Sequence, residues 1–149
     1  VSHQPPASSD DWIEIAKREL DNLSKAYRIR QTNDAKVDHA VRATEAALKA
    51  LIWKYEGWAE WPSERGKKYK FLYGHKLDGM LDHTGLRSRL RTSAEHWASW
   101  QAIVNAVQKQ PRYSPYLPSD AETNEVAKSA RHPDVGIVPW LLQRYHEMI

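Results

Sequence analysis

The sequence predicts an all-α protein: an antiparallel bundle of four main helices with additional short ones. Three observations point there. Apolar residues recur at helical spacing over several long stretches. No strand-like alternation of useful length interrupts them. Capping residues, glycines and prolines stand where those stretches begin and end.

Taken in order, residues 1–9 read as a disordered N-terminal extension. They lack the apolar stretch of a signal peptide. A single domain is expected over 10–149. Ser9 or Asp10 caps a first helix running to about Gln31, with Trp12, Ala16, Leu20, Leu23 and Tyr27 at helical spacing. Thr32, Asn33 and Asp34 break it. A second helix covers about Ala35 to Glu56. Val37, Val41, Thr44, Leu48, Leu51 and Tyr55 form one stripe along it. Ala43, Ala46, Ala47 and Ala50 line another face, either because a neighbouring backbone comes close or because alanine is a good helix former. Asp38–Arg42 and Glu45–Lys49 are favourable i,i+4 pairs, and His39 should be exposed.

Gly57 ends this helix. Residues 57–73 form a long connection without clear periodicity, a length that is often functional. A short helix follows at about 75–83, then Gly85, then a long helix over about 86–110. Leu90, Ala94, Trp97, Gln101, Val104 and Gln108 repeat along it at heptad spacing, and Trp100, Ile103 and Val107 widen the apolar side. Pro111 and Pro115 stop it. Ser119 or Asp120 caps a helix to about 131. Residues 132–136 interrupt. A last helix covers about 137–148, with Pro139 in its first turn.

The chain has no cysteine, which excludes a disulfide framework and thiolate metal sites. No apolar run is long enough to span a bilayer, so a cytoplasmic protein without a membrane partner is expected. The net charge of +3 is modest for a nucleic-acid binder, and local clustering says more than the total. Seven tryptophans, at 12, 53, 58, 61, 97, 100 and 140, exceed what one small core should need. A homodimer burying some of Trp53, Trp97, Trp100 and Trp140 would account for them.

Three motifs in order resemble the HEPN family of small helical domains. The first is Ala43, Glu45, Leu48, Lys49 and Ala50, matching the family's A-x-E-x-x-L-K-A. The second is His75 with Leu77, matching H-x-L. The third is Arg112-Tyr113, with Ser114 before Pro115, matching R-Y-P. The resemblance spans roughly residues 10–148 and implies the helical fold. It also implies one of two activities: metal-free RNA cleavage by an R-x4-6-H motif paired across a dimer, or non-catalytic binding. A homodimer, and a nucleotidyltransferase or antitoxin partner in a bacterial defence or toxin–antitoxin system, belong to the same implication.

Metal-free cleavage needs a proton acceptor, a proton donor and a cation for the phosphate, which His and Arg supply. No histidine follows Arg112 at the family spacing; the next is His132. The chain therefore looks like the binding members. Arg112-Tyr113 either closes the bundle as an ion pair and packed ring, or presents Arg112 to a ligand. Other candidate catalytic residues are Arg89, Arg91 and His96. On a straight helix Arg91 and His96 point about 140° apart, whereas Arg89 and His96 share a face about 10 Å apart along the axis. His75 suits a helix-start hydrogen bond. Arg65, Lys67, Lys68, Tyr69 and Lys70 interleave cations with aromatics. That segment is either a phosphate-and-base binding surface or a solvated loop whose rings plug the core. No metal-ligand spacing and no cofactor loop is present. The expected function is a non-catalytic module binding nucleotide, RNA or a protein. The alternatives are a metal-free ribonuclease and a structural dimerisation domain.

Overall fold

A computed structural model describes residues 6–62, 67–72, 76–109 and 117–148, with Lys67, Lys68 and Phe71 defined by backbone alone. Every regular element among them is helical. Helix α1 (Ser9–Arg28) begins one residue before the expected start. Ser8 is the cap, its Oγ accepting from the Asp11 amide. The Ala7 amide donates to the Asp11 carboxylate, so the expected disordered extension is already tied down at its end. The helix closes before Gln31, where Arg30 takes a left-handed φ of 55°.

Helix α2 (Asn33–Glu56) starts at the Thr32 cap and ends at Gly57, whose φ of 66° suits a residue without Cβ. Only residues 29–32 separate α1 from α2, so the two form an antiparallel hairpin. The alanine face of α2 is fully enclosed. Ala43, Ala46, Ala47 and Ala50 are at most 2% exposed. α2 also packs on α3, α5, α6 and α7, so it runs through the middle of the core and is buried nearly all round. Its buried Thr44 hydroxyl donates within the helix to the Ala40 carbonyl, 2.9 Å away. Tyr55, expected in the buried stripe, instead stands 62% exposed near the C-terminus. His39, expected to be exposed, is half-buried with Nδ1 2.8 Å from the Glu19 carboxylate.

After Gly57 the chain returns to the core. A short 3-10 helix (Lys67–Leu72) inserts Leu72 into the interior. Helix α3 (Leu77–Thr84) buries Met80 and Leu81 and stops at Gly85. The single long helix expected over 86–110 is two helices. α4 (Arg87–Arg91) is followed by α5 (Ala94–Lys109). The break lies at two residues whose hydroxyls compete with the helical ladder. Thr92 Oγ1 donates to the Arg89 carbonyl at 2.6 Å, and Ser93 Oγ accepts from the His96 amide at 3.4 Å.

Helix α6 (Asp120–Arg131) is capped by Ser119, which accepts from the Glu122 amide and donates to its carboxylate. Helix α7 (Ile137–Glu147) carries Pro139 in its first turn. Side-chain ties hold these late helices to the first. Tyr27 donates to Asn124, and Arg131 donates to Ser24. The Tyr145 hydroxyl donates to Asp10 and lies 2.7 Å from the Ser9 hydroxyl. One apolar core runs through all these helices.

Candidate functional site

The tryptophan surplus is largely absorbed inside one chain. Trp53, Trp100 and Trp140 are buried. Trp61 meets Trp12, Trp53 and Trp58 at ring-centre distances of 5.2, 5.3 and 5.7 Å. Tyr69 sets its ring edge-on against Trp58 at 5.1 Å. This nest clamps Trp58, Trp61 and Tyr69 onto the α1–α2 hairpin and gives these rings a packing role within one chain.

Two residues singled out in the sequence, Glu45 and Lys49, lie on α2 beside this nest. Glu45 is 9% exposed, and the Lys49 ammonium lies 4.9 Å from the Trp12 ring centre. Burial pushes the Lys49 pKa down, and the Glu45 carboxylate opposes that shift. The i,i+4 pair expected from the sequence thus joins a buried Glu45 to a partly buried Lys49. Tyr69 is engaged in the nest and Lys70 is exposed. The side chains of Lys67 and Lys68 are outside the description, and Arg65, His75, Arg112 and Tyr113 lie outside the described residues.

The candidate catalytic residues are held apart within the chain. His96 sits in the first turn of α5. Its Nδ1 is 2.7 Å from the Ser93 hydroxyl and its ring lies near Trp140. Arg91 lies over Trp97, 5.4 Å from the ring centre. Arg87 covers the same ring at 5.7 Å while bonding to Asp82 and Asp78. The Asp82 hydrogen bond is the largest of several influences that raise the Arg87 pKa. Arg89 turns the other way, towards α7. The shared face expected for Arg89 and His96 required a continuous helix, and the break at Thr92–Ser93 removes it.

What Arg89 reaches is the most suggestive geometry in the molecule. Its Nη2 is 3.2 Å from one oxygen of Glu147, and Arg144 Nη2 is 3.1 Å from the other. Two guanidinium groups, one from α4 and one from α7, thus hold one carboxylate between them. Beneath it is a cavity of about 290 Å³, floored by Leu51, Thr84 and Leu86 and rimmed by Tyr55 and Met148. Arg144 is packed on the Trp140 ring, and its buried Nε has no hydrogen-bond partner among the described residues. Glu147 lies in the last turn of its helix, where a negative charge opposes the helix dipole by about 0.3–1 kcal/mol. The Arg89–Glu147 pair is half-exposed, and such pairs contribute about 0–1 kcal/mol, whereas the Arg144 side chain is only 12% exposed. Guanidinium pairs of this geometry match other oxyanions as well as a carboxylate.

A larger groove of about 360 Å³ lies between α2, α5 and α6. Its floor is apolar, and Lys109 at its edge is 4.0 Å from Glu122, so no pair of cations converges there. Arg144, Glu147 and Tyr55 have no distinguishing signal in the sequence, because only the packing of α4 and α7 against the end of α2 makes them neighbours. Among the described residues no three His, Cys, Asp or Glu side chains are grouped to hold a metal ion, and no helix is long and apolar enough to cross a membrane. Comparison of the chain with protein-family models, curated proteins and solved structures found no match.

Proposed function

We propose that this chain is a non-catalytic, HEPN-like helical module that binds the phosphate of an RNA or nucleotide between Arg89 and Arg144. The observation that carries the reading is the single carboxylate gripped by both guanidinium groups over an open cavity. Guanidinium forks match carboxylate and phosphate oxygens alike, so a site that orders the first has the donors for the second. The engagement of His96 with Ser93, on a separate helix from Arg89, supports binding over cleavage. The defence or toxin–antitoxin setting, with a nucleotidyltransferase or antitoxin partner, follows from the motif resemblance and is proposed on that ground.

The test is a short 5′-phosphorylated single-stranded RNA in chelator. It should be bound at low salt and remain uncut. Arg89→Ala, at an exposed position that leaves the core intact, should weaken binding roughly tenfold. It should also lower the salt slope by about 0.7, the share of one phosphate contact on a single strand. Undiminished binding by the variant would overturn the assignment. Cleavage that vanishes in His96→Ala would replace it with the ribonuclease reading.

A further inference from the structure

We infer that the Arg89–Arg144 site takes one nucleotide unit by exchange: the ligand's phosphate replaces the Glu147 carboxylate, and its base lies on Tyr55. The inference rests on the phosphate-binding reading above and adds the ligand's second half and the group it displaces.

Four observations on the same cavity support it. Glu147 already presents two oxygens to two guanidinium groups, which is the geometry two non-bridging phosphate oxygens would adopt. Its side chain is 44% exposed and belongs to the last helical turn, so it can swing into water without disturbing the core. Arg144 is packed on the Trp140 ring with its side chain only 12% exposed, which holds its guanidinium fixed at the cavity wall. Tyr55 lines the cavity while 62% exposed, an aromatic face left uncovered in a chain whose other rings are mostly packed.

The size of the site narrows the ligand. A cavity of about 290 Å³ is at the small end of ligand sites, which run from about 300 to 1,000 Å³. It accommodates one nucleotide and not a dinucleotide cofactor. A longer RNA would have to leave through the rim with a single residue seated. The apolar floor of Leu51 and Leu86 suits the flank of a base, and free phosphate has nothing to place there.

The experiment is calorimetric titration of the whole chain with AMP, adenosine and inorganic phosphate, repeated on Tyr55→Ala, Glu147→Gln and Arg89→Ala. All three positions are exposed, and circular dichroism confirms that each variant is folded. AMP should bind more tightly than either fragment. Tyr55→Ala should weaken AMP about tenfold, the loss of one base stack, and leave phosphate unchanged. Glu147→Gln should strengthen both AMP and phosphate about two- to fivefold, because the internal competitor loses its charge. Binding that needs Arg89 but ignores both Tyr55 and Glu147 would overturn the exchange and leave the anion site standing. Weaker binding in Glu147→Gln would also overturn it, since the carboxylate would then be organising the site. If Arg89→Ala changes nothing for any ligand, both readings fall together.

Discussion

Trp100→Ala is expected to cost about 3–5 kcal/mol, the range for emptying a large aromatic site in a packed core. Small domains have about 5–15 kcal/mol of stability in all, so the variant should stand close to unfolding at room temperature. Trp100 is 1% exposed and among the largest side chains fully enclosed. Its Nε1 donates to Asp78 at 3.2 Å, which joins α5 to α3. Asp78 keeps Arg87 and water after the substitution, so the loss is that of the ring and not of an orphaned charge. Trp97, three residues earlier, is the control. It is half-buried between the Arg87 and Arg91 guanidinium groups, and Trp97→Ala should cost about 1 kcal/mol. Urea midpoints followed by far-ultraviolet circular dichroism compare the two. Equal losses would show that α5 does not present the Trp100 face to the core.

That comparison also marks where the sequence was legible. Helix identity and order follow from spacing and punctuation: Thr32, Gly57, Gly85, Ser119 and Pro139 all stand at helix ends or in first turns, as their chemistry requires. The interior face of the 86–110 stretch follows only in part. Leu90 is buried as the stripe expects, and so are Trp100 and Ile103, expected to widen the apolar side, whereas Trp97, Val104 and Val107 are partly buried. A heptad drawn through Leu90, Trp97 and Val104 assumes one continuous helix, and the hydroxyls of Thr92 and Ser93 break it. Central α2 shows the opposite case. Its alanine face and its larger stripe are both buried, because a helix surrounded by five others has no solvent side along most of its length.

The candidate site was legible only in part. Arg89 stands out in the sequence, but for its spacing to His96. Its neighbours Arg144 and Glu147 lie on α7 and look like any polar helix face until tertiary packing joins them. Tyr55 was assigned to the core by periodicity, because nothing local shows that its side of the last turn of α2 faces an open cavity. The packing of the tryptophans was not legible for a related reason. Composition reports how many rings there are, whereas the nest of Trp12, Trp53, Trp58 and Trp61 depends on Trp58 and Trp61 reaching rings of α1 and α2. The motif positions Arg65, His75, Arg112 and Tyr113 lie outside the described residues.

Gly136→Ala is expected to destabilise by about 2–3 kcal/mol, although Gly136 has an ordinary backbone, with φ −71° and ψ 145°. Space, and not conformational freedom, requires glycine here. A Cβ at this position would lie 2.5 Å from the His132 carbonyl oxygen, 2.6 Å from the His132 nitrogen and 3.0 Å from the Arg131 carbonyl carbon. All three are backbone atoms at the end of α6, and none can rotate away. The Gly136 amide donates to that same His132 oxygen at 2.7 Å, so the close approach is what closes the turn between α6 and α7. Relief would require α7 to move, and Ile137, Val138 and Leu141 are each 0% exposed in packed positions. Gly57 and Gly85 provide the contrast. Both have positive φ with open space around a Cβ, so their alanine variants carry backbone strain of about 1–2 kcal/mol and no clash. Asparagine, which tolerates the left-handed region, should recover part of the loss at Gly57 and none at Gly136. Denaturant midpoints of the alanine and asparagine variants at both positions separate the two causes. Recovery by asparagine at Gly136, or an alanine variant there as stable as the parent, would refute the steric account. Because α7 carries Arg144 and Glu147, Gly136→Ala should also weaken AMP binding, even where the protein remains folded.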